Sequence, residues 1–232
     1  MKPWLTQEFD VLVQQLYHSQ AHVITLAGAS AGCGTSTLCR WLAERFSDEH
    51  ARVLLVDLDI RRDRDTQMGS NWQLDNENIT RHLISLSPTL SLLPAPSSPH
   101  TQLALKQPQK LQSAITHWRD QFDYIFCDVG NVNSTNWRSL PAASVAAVSD
   151  GTVLCVAAGK THEAELLHSV KRLTQGNASL LGTLINDRDY PTLASDISRS
   201  LNQHTRWLPA QVRRWLISKI NQSALLQGEY QR

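Results

Sequence analysis

Asp57 and Asp59 stand two residues apart at the end of the apolar run Val53-Leu54-Leu55-Val56, and Asp128 ends a second such run, Tyr124-Ile125-Phe126-Cys127. Carboxylates delivered by strand ends can hold a divalent cation or face an attacking oxygen, and alternation along an extended chain would send Asp57 and Asp59 to the same side. The stretch from Ala27 to Thr37 supplies a complement. Its Gly28, Gly32 and Gly34 free successive backbone N–H groups to approach an anion, and Ser36 and Thr37 follow where a helical pattern begins. A phosphate loop of this kind normally closes with a lysine before its Mg²⁺-binding Ser or Thr, whereas Thr35 holds that place here.

The expected phosphate cradle is therefore Gly32, Cys33, Gly34, Thr35, Ser36 and Thr37, and the expected metal set is Ser36, Asp57 and Asp128. Each motif alone has an ordinary structural reading: a glycine turn, a polar strand end, an apolar run that happens to precede an aspartate. Their order and spacing together favour a nucleotide site. A hydrogen bond to a charged group is worth about 1.5–3 kcal/mol, so losing the lysine weakens nucleotide binding about 10- to 100-fold. Chemistry suffers further, because one preorganised donor aimed at developing charge contributes about 10²–10³ in rate. A slow switch or a structural ligand fits the loop better than fast turnover.

Positioning these residues requires strands that end at one edge of a sheet. Apolar runs at 23–27, 53–56, 124–127, 152–157 and 180–185 alternate with helical patterns, including Leu38, Leu42 and Phe46, and Leu166, Val170 and Leu173. Near-continuous apolar strands between helices predict an α/β fold, a doubly wound, mostly parallel sheet with helices on both faces, in which ligands sit at the carboxyl ends of the strands. Residues 61–108 are less regular, with a short strand and a proline-bound loop at 91–100. A helix is expected over residues 1–20, with Leu5, Phe9, Leu12 and Leu16 on one stripe, and another over 210–226. A chain of 232 residues with 41% hydrophobic content suits a single domain spanning 1–232.

A net charge of +1 gives no global attraction to nucleic acid or anionic membrane, and the scattered tryptophans Trp41, Trp72, Trp118, Trp137 and Trp207 lack basic interleaving. No nucleic-acid partner is expected. Cys33, Cys39, Cys127 and Cys155 lie in or beside apolar segments without metal spacing, which predicts buried, reduced thiols, and His117, His162 and His168 complete no zinc set. Without a signal-like hydrophobic region or a spanning run, the expectation is a cytoplasmic protein.

The three elements, followed by "DGTVLCVAAGKTHEAE" at 150–165 and "LLGTLIND" at 180–187, resemble the MinD/ParA-like P-loop proteins, a group that includes the cytoplasmic tyrosine-kinase domains of bacterial capsule secretion. The resemblance covers most of residues 5–228. It implies bound ATP and Mg²⁺, with Asp57 and Asp59 handling the metal and the attacking group, Asp128 the metal's water, and Asn186 the adenine edge. Departures from the kinase pattern are Thr35 in the loop, Val129 and Gly130 in place of prolines, Val11 in place of an assembly arginine, and a lone Tyr230 where a tyrosine cluster is expected. The MinD-like ATPases of bacterial cellulose secretion, called BcsQ, share the glycine-threonine loop, "LIND", Leu208-Pro209 and a terminal Gly228-Glu229-Tyr230.

These resemblances imply an ATP-binding regulatory or pseudo-ATPase protein, a dimeric switch or scaffold acting as a homodimer or with a related or small protein. Its partner would be the inner-membrane machinery that secretes cellulose or another exopolysaccharide. Two alternatives stay open, a tyrosine kinase of capsule export, which the Arg61-Arg62 pair resembles, and a nucleotide-free scaffold. The C-terminal helix, with Val212, Leu216 and Ile220 on one side and Arg213, Arg214 and Lys219 elsewhere, is either a core-packing element or a peripheral membrane contact.

Overall fold

The computed structural model describes residues 7–59, 71–74, 79–134 and 140–188, together with positions 197, 201, 211, 216 and 218–220. The chain forms two compact units: Met1–Ala157 with Thr161–Asn186, and Ala158–Lys160 with Asp187–Arg232. The first holds a seven-stranded sheet and every expected site residue. In the second, the described positions Ile197, Leu201, Gln211, Leu216 and Ser218 to Ile220 are helical.

Chain order in the first unit begins α1 (Gln7–His18), β1 (Val23–Gly28), α2 (Thr35–Asp48) and β2 (Val53–Asp57). A 3₁₀ turn over Ile79–His82 leads to β3 (Ile84–Ser85) and β4 (Leu90–Leu93), and then come α3 (Pro99–Leu105), α4 (Pro108–Arg119) and β5 (Tyr124–Asn131). The unit closes with α5 (Ala142–Ala146), β6 (Gly151–Ala157), α6 (Glu163–Gln175) and β7 (Leu180–Asn186). The sheet runs β3-β4-β2-β5-β1-β6-β7, with every pair parallel except β3–β4. The expected doubly wound α/β architecture is the one observed.

Alternation along the strands explains why two cores form. Val23, Ala27, Leu54, Val56, Ile125, Cys127 and Leu154 face one of them, closed by Leu111, Ile115 and Trp118 of α4, Val145 of α5 and Leu173 of α6. Ile24, Leu26, Val53, Leu55, Phe126, Val153 and Cys155 face the other, closed by Phe9, Val13 and Leu16 of α1 and by Leu38, Leu42 and Phe46 of α2. Each fully buried large side chain contributes about 1.5–3 kcal/mol, so strands apolar on both faces are the sequence signature of a sheet covered on both.

The amino-terminal helix therefore covers the domain. Its Arg45–Asp10 ion pair and Tyr17–Glu49 hydrogen bond fasten it to α2. The expected start at residue 1 and Leu5 of its stripe lie outside the described residues. So do Arg61, Arg62, Trp137, Trp207, Leu208, Pro209, Tyr230 and, in the expected carboxyl-terminal helix, Val212 to Trp215. Among the described residues, no helix is long and apolar enough to cross a membrane.

Two strand boundaries bear on the site. β5 continues past Asp128 to Asn131, further than its apolar run predicts. β2 stops at Asp57, so a turn of the backbone rather than strand alternation places Asp59.

Candidate nucleotide-binding site

β1 delivers the loop to the carboxyl edge of the sheet, between the ends of β5 and β6. Gly28 pairs with Asn131 on one side and with Cys155 on the other, and the Ala29 N–H donates to the Cys155 carbonyl at 2.8 Å. Gly32 and Gly34 take φ of +78° and +81°, a region that favours glycine. α2 then begins at Thr35 with Gly34 as its N-cap, without a side-chain cap or an acidic residue in its first turn. The first N–H groups of a helix have no intrahelical partner, and here no carboxylate competes for them, so this end suits an anion.

The loop is braced from within. Cys33 is buried; its thiol donates to the Ser30 carbonyl at 2.9 Å and lies 3.2 Å from both the Ser30 backbone nitrogen and Oγ. Ser30 Oγ is in turn 2.8 Å from Thr161 Oγ1, and Thr161 accepts from the Ala157 N–H at 3.0 Å, tying the loop to the end of β6. Asn186 Nδ2, at the end of β7, donates to the Cys33 carbonyl at 2.9 Å.

Thr35 faces the sheet. It is 7% exposed, and its hydroxyl lies 2.8 Å from where a Cβ on Gly28 would sit, so only glycine fits at the end of β1. Burial pushes the Cys155 thiol well above its ordinary value, and the Thr35 hydrogen bond is the opposing influence. A hydroxyl committed there supplies no positive charge to a phosphate. Ser36 differs: its Oγ is buried and has no hydrogen-bond partner within the protein, so its lone pairs can serve as a metal ligand.

Asp57 and Asp128 are register partners on adjacent strands and are 6% and 4% exposed. Asp57 Oδ1 accepts from the Asp59 N–H at 3.1 Å, and the Leu58 N–H donates to the Asp128 carbonyl at 2.8 Å. The Asp59 carboxyl rests on Gly130, where an added Cβ would come within 2.7–2.8 Å of its atoms. α2 packs Leu38, Cys39 and Leu42 onto β2 and β5 beneath the carboxylates, and burial, then the negative charge of Asp128 with a smaller push from Asp57, holds the Cys39 thiol well up. Paired carboxylates and an orphaned hydroxyl are hard oxygen donors of the kind Mg²⁺ takes, so the residues present fit the ion.

The structure thus brings the loop, Asp57, Asp59, Asp128 and Asn186 to one edge of the sheet. Sequence reasoning missed three supports. Gly130 carries φ +68° and seats Asp59; only its replacement of an expected proline marked it. Thr161 braces Ser30 across 131 positions. Asn133 Nδ2 donates to the Ala29 carbonyl at 2.9 Å and also meets the Glu165 carbonyl and Ser169 Oγ at 3.0 and 2.8 Å. No local pattern in the sequence signals either of the last two.

Comparison with known proteins agrees with this fold. The sequence model of the family described as cellulose biosynthesis protein BcsQ matches residues 21–217. A tyrosine-protein kinase of Acinetobacter johnsonii is 25% identical over 192 residues, 74% of this chain and 24% of that protein, so the chain spans about a quarter of that relative's length. Among solved structures, the kinase domain of the Escherichia coli tyrosine kinase ETK superposes with a TM-score of 0.63 at 17% identity, covering 76% of this chain and 71% of that one. Cobyrinic acid a,c-diamide synthase from Mycobacterium smegmatis, solved with a bound ATP analogue and magnesium, superposes with a TM-score of 0.56 at 20% identity, over 79% and 82% of the two chains.

Proposed function

Because the chain belongs to the family of cellulose biosynthesis protein BcsQ, we propose that it binds ATP·Mg²⁺ and serves as a slow switch or scaffold for bacterial exopolysaccharide export, with cellulose as the polymer. The observation that carries this reading is the buried, unpartnered Ser36 Oγ beside an uncapped helix start, with Asp57 and Asp128 paired on neighbouring strands. Ser36, Asp57 and Asp128 would hold the metal, which supplies charge neutralisation to the phosphates. Loop N–H groups from Gly32 to Thr37 bind the anion, Asn186 lies at the adenine side, and Asp59 faces the attacking group. Asp59 is held ready by Gly130 and by the turn to Asp57.

Thr35 makes hydrolysis slow, because no ammonium stands where charge develops. In this reading the protein works in the cytoplasm, as a dimer or with a small partner protein, at the inner-membrane secretion machinery. A fluorescent ATP analogue should bind with Mg²⁺, and Asp57→Ala or Asp128→Ala should weaken it at least tenfold. Absence of binding at millimolar nucleotide overturns the proposal.

A second reading, a tyrosine kinase of capsule export, is favoured by the Acinetobacter relative. It requires phosphate on Tyr230 or on a partner's tyrosine after incubation with ATP, which mass spectrometry would detect.

A further inference from the structure

We propose that Asn186 is a positioning residue of the phosphate loop, which holds the Cys33 carbonyl from the end of edge strand β7 and thereby aims the Gly34 N–H at the bound anion. This rests on the nucleotide reading above and gives Asn186 a task separate from any contact with the base.

Three observations converge on the peptide between Cys33 and Gly34. Asn186 Nδ2 lies 2.9 Å from the Cys33 carbonyl oxygen, and a carbonyl only accepts, so the amide presents its NH₂ there. The peptide unit is planar and trans, so a carbonyl fixed by Asn186 points the Gly34 N–H the opposite way. On the other side, the Cys33 thiol is tied to Ser30 at 2.9 Å and Ser30 to Thr161 at 2.8 Å, which leaves Asn186 to control the orientation of the carbonyl.

Gly34 records the closeness of this contact. A Cβ there would stand 2.5 Å from Asn186 Nδ2, and φ is +81°. Both the backbone angle and the Asn186 amide therefore demand glycine at this position. The latch links residues 153 apart in sequence, so it exists only once β7 has joined the sheet.

The test separates the phosphate end of the ligand from the base. Mg²⁺·ATP and Mg²⁺·tripolyphosphate, which has no base, are titrated calorimetrically into the full chain and into Asn186→Leu and Asn186→Ala. Loss of one hydrogen bond to the loop should weaken tripolyphosphate about 5- to 10-fold, and ATP by at least that factor. Variants that lose ATP but keep tripolyphosphate overturn the inference and leave the nucleotide reading standing. A parent protein that binds neither ligand overturns the nucleotide reading, and the inference with it. Hydrogen exchange in the ligand-free protein gives a readout independent of binding: Gly32 to Ser36 should exchange faster in both variants while β1 and β5 stay unchanged. Equal exchange along the loop also overturns the inference.

Discussion

At Thr35 a hydroxyl stands in place of an ammonium, and the hydroxyl is turned to Cys155 and Gly28. Thr35→Lys should raise ATP affinity about 10- to 100-fold, the inverse of the loss that the threonine imposes. Equilibrium binding checks this, and a parent that binds nothing while the variant binds would favour the empty scaffold. Gly130→Ala should lower stability by about 1–3 kcal/mol, because alanine at φ +68° is strained and its Cβ meets the Asp59 carboxyl. In an Asp59→Ala background only the backbone strain should remain, so chemical denaturation of the four proteins should show a positive coupling between the two sites. The carboxylates and the loop were legible in the sequence because each ends an apolar run. Gly130 was visible only as an oddity, since its purpose is a contact with a residue 71 positions away.

The elements are locked together at the opposite edge of the sheet by Asp150. Its carboxylate accepts from the His22 and Val23 N–H groups at 2.9 and 2.8 Å and pairs with Arg119 of α4 at 2.6 Å, joining β1, β6 and a covering helix. Burial pushes the Asp150 carboxyl up, but the Arg119 guanidinium and the two N–H groups outweigh it and hold the group below its ordinary 3.8. A lowered value means that the charged form is stabilised by folding. The contribution is therefore present above pH 3.8 and fades as pH falls through the native value. Asp150→Asn should lower stability at neutral pH by about 1–3 kcal/mol and flatten the loss below pH 4, measured by urea unfolding across pH. Cys127 in β5 works in the opposite direction: burial, with Asp128 beside it, pushes the thiol up to about 12 from 9.0. That contribution is complete below pH 9 and lost as pH rises towards 12, so Cys127→Ala should make the alkaline limb shallower. Strand and helix types were readable from the spacing of apolar residues. The ends of β2 and β5 were not, because hydrogen bonds between their neighbours set where each strand stops.

For the whole molecule, a ligand that binds only the folded state adds about 2.7 kcal/mol at a hundredfold excess over its Kd, which raises the midpoint of a domain of this size by roughly 5–10 °C. Mg²⁺·ATP should therefore shift thermal unfolding in scanning fluorimetry, and Asp57→Ala or Asp128→Ala, by weakening binding at least tenfold, should cut the shift to about half or less at the same ligand concentration. The sequence by itself determined the doubly wound sheet, the two apolar faces of its strands, the burial of all four cysteines and the edge at which loop and carboxylates gather. Those follow from periodicity and from residues that act within a few positions of one another. Only the tertiary structure decided that Thr35 faces the sheet, that Ser36 alone of the loop hydroxyls is buried without a partner, that Gly130 carries Asp59, and that Asn186 holds Cys33. The first, third and fourth are contacts between residues far apart in the chain, and the second is set by what packs around the start of α2, so no local spacing encodes them.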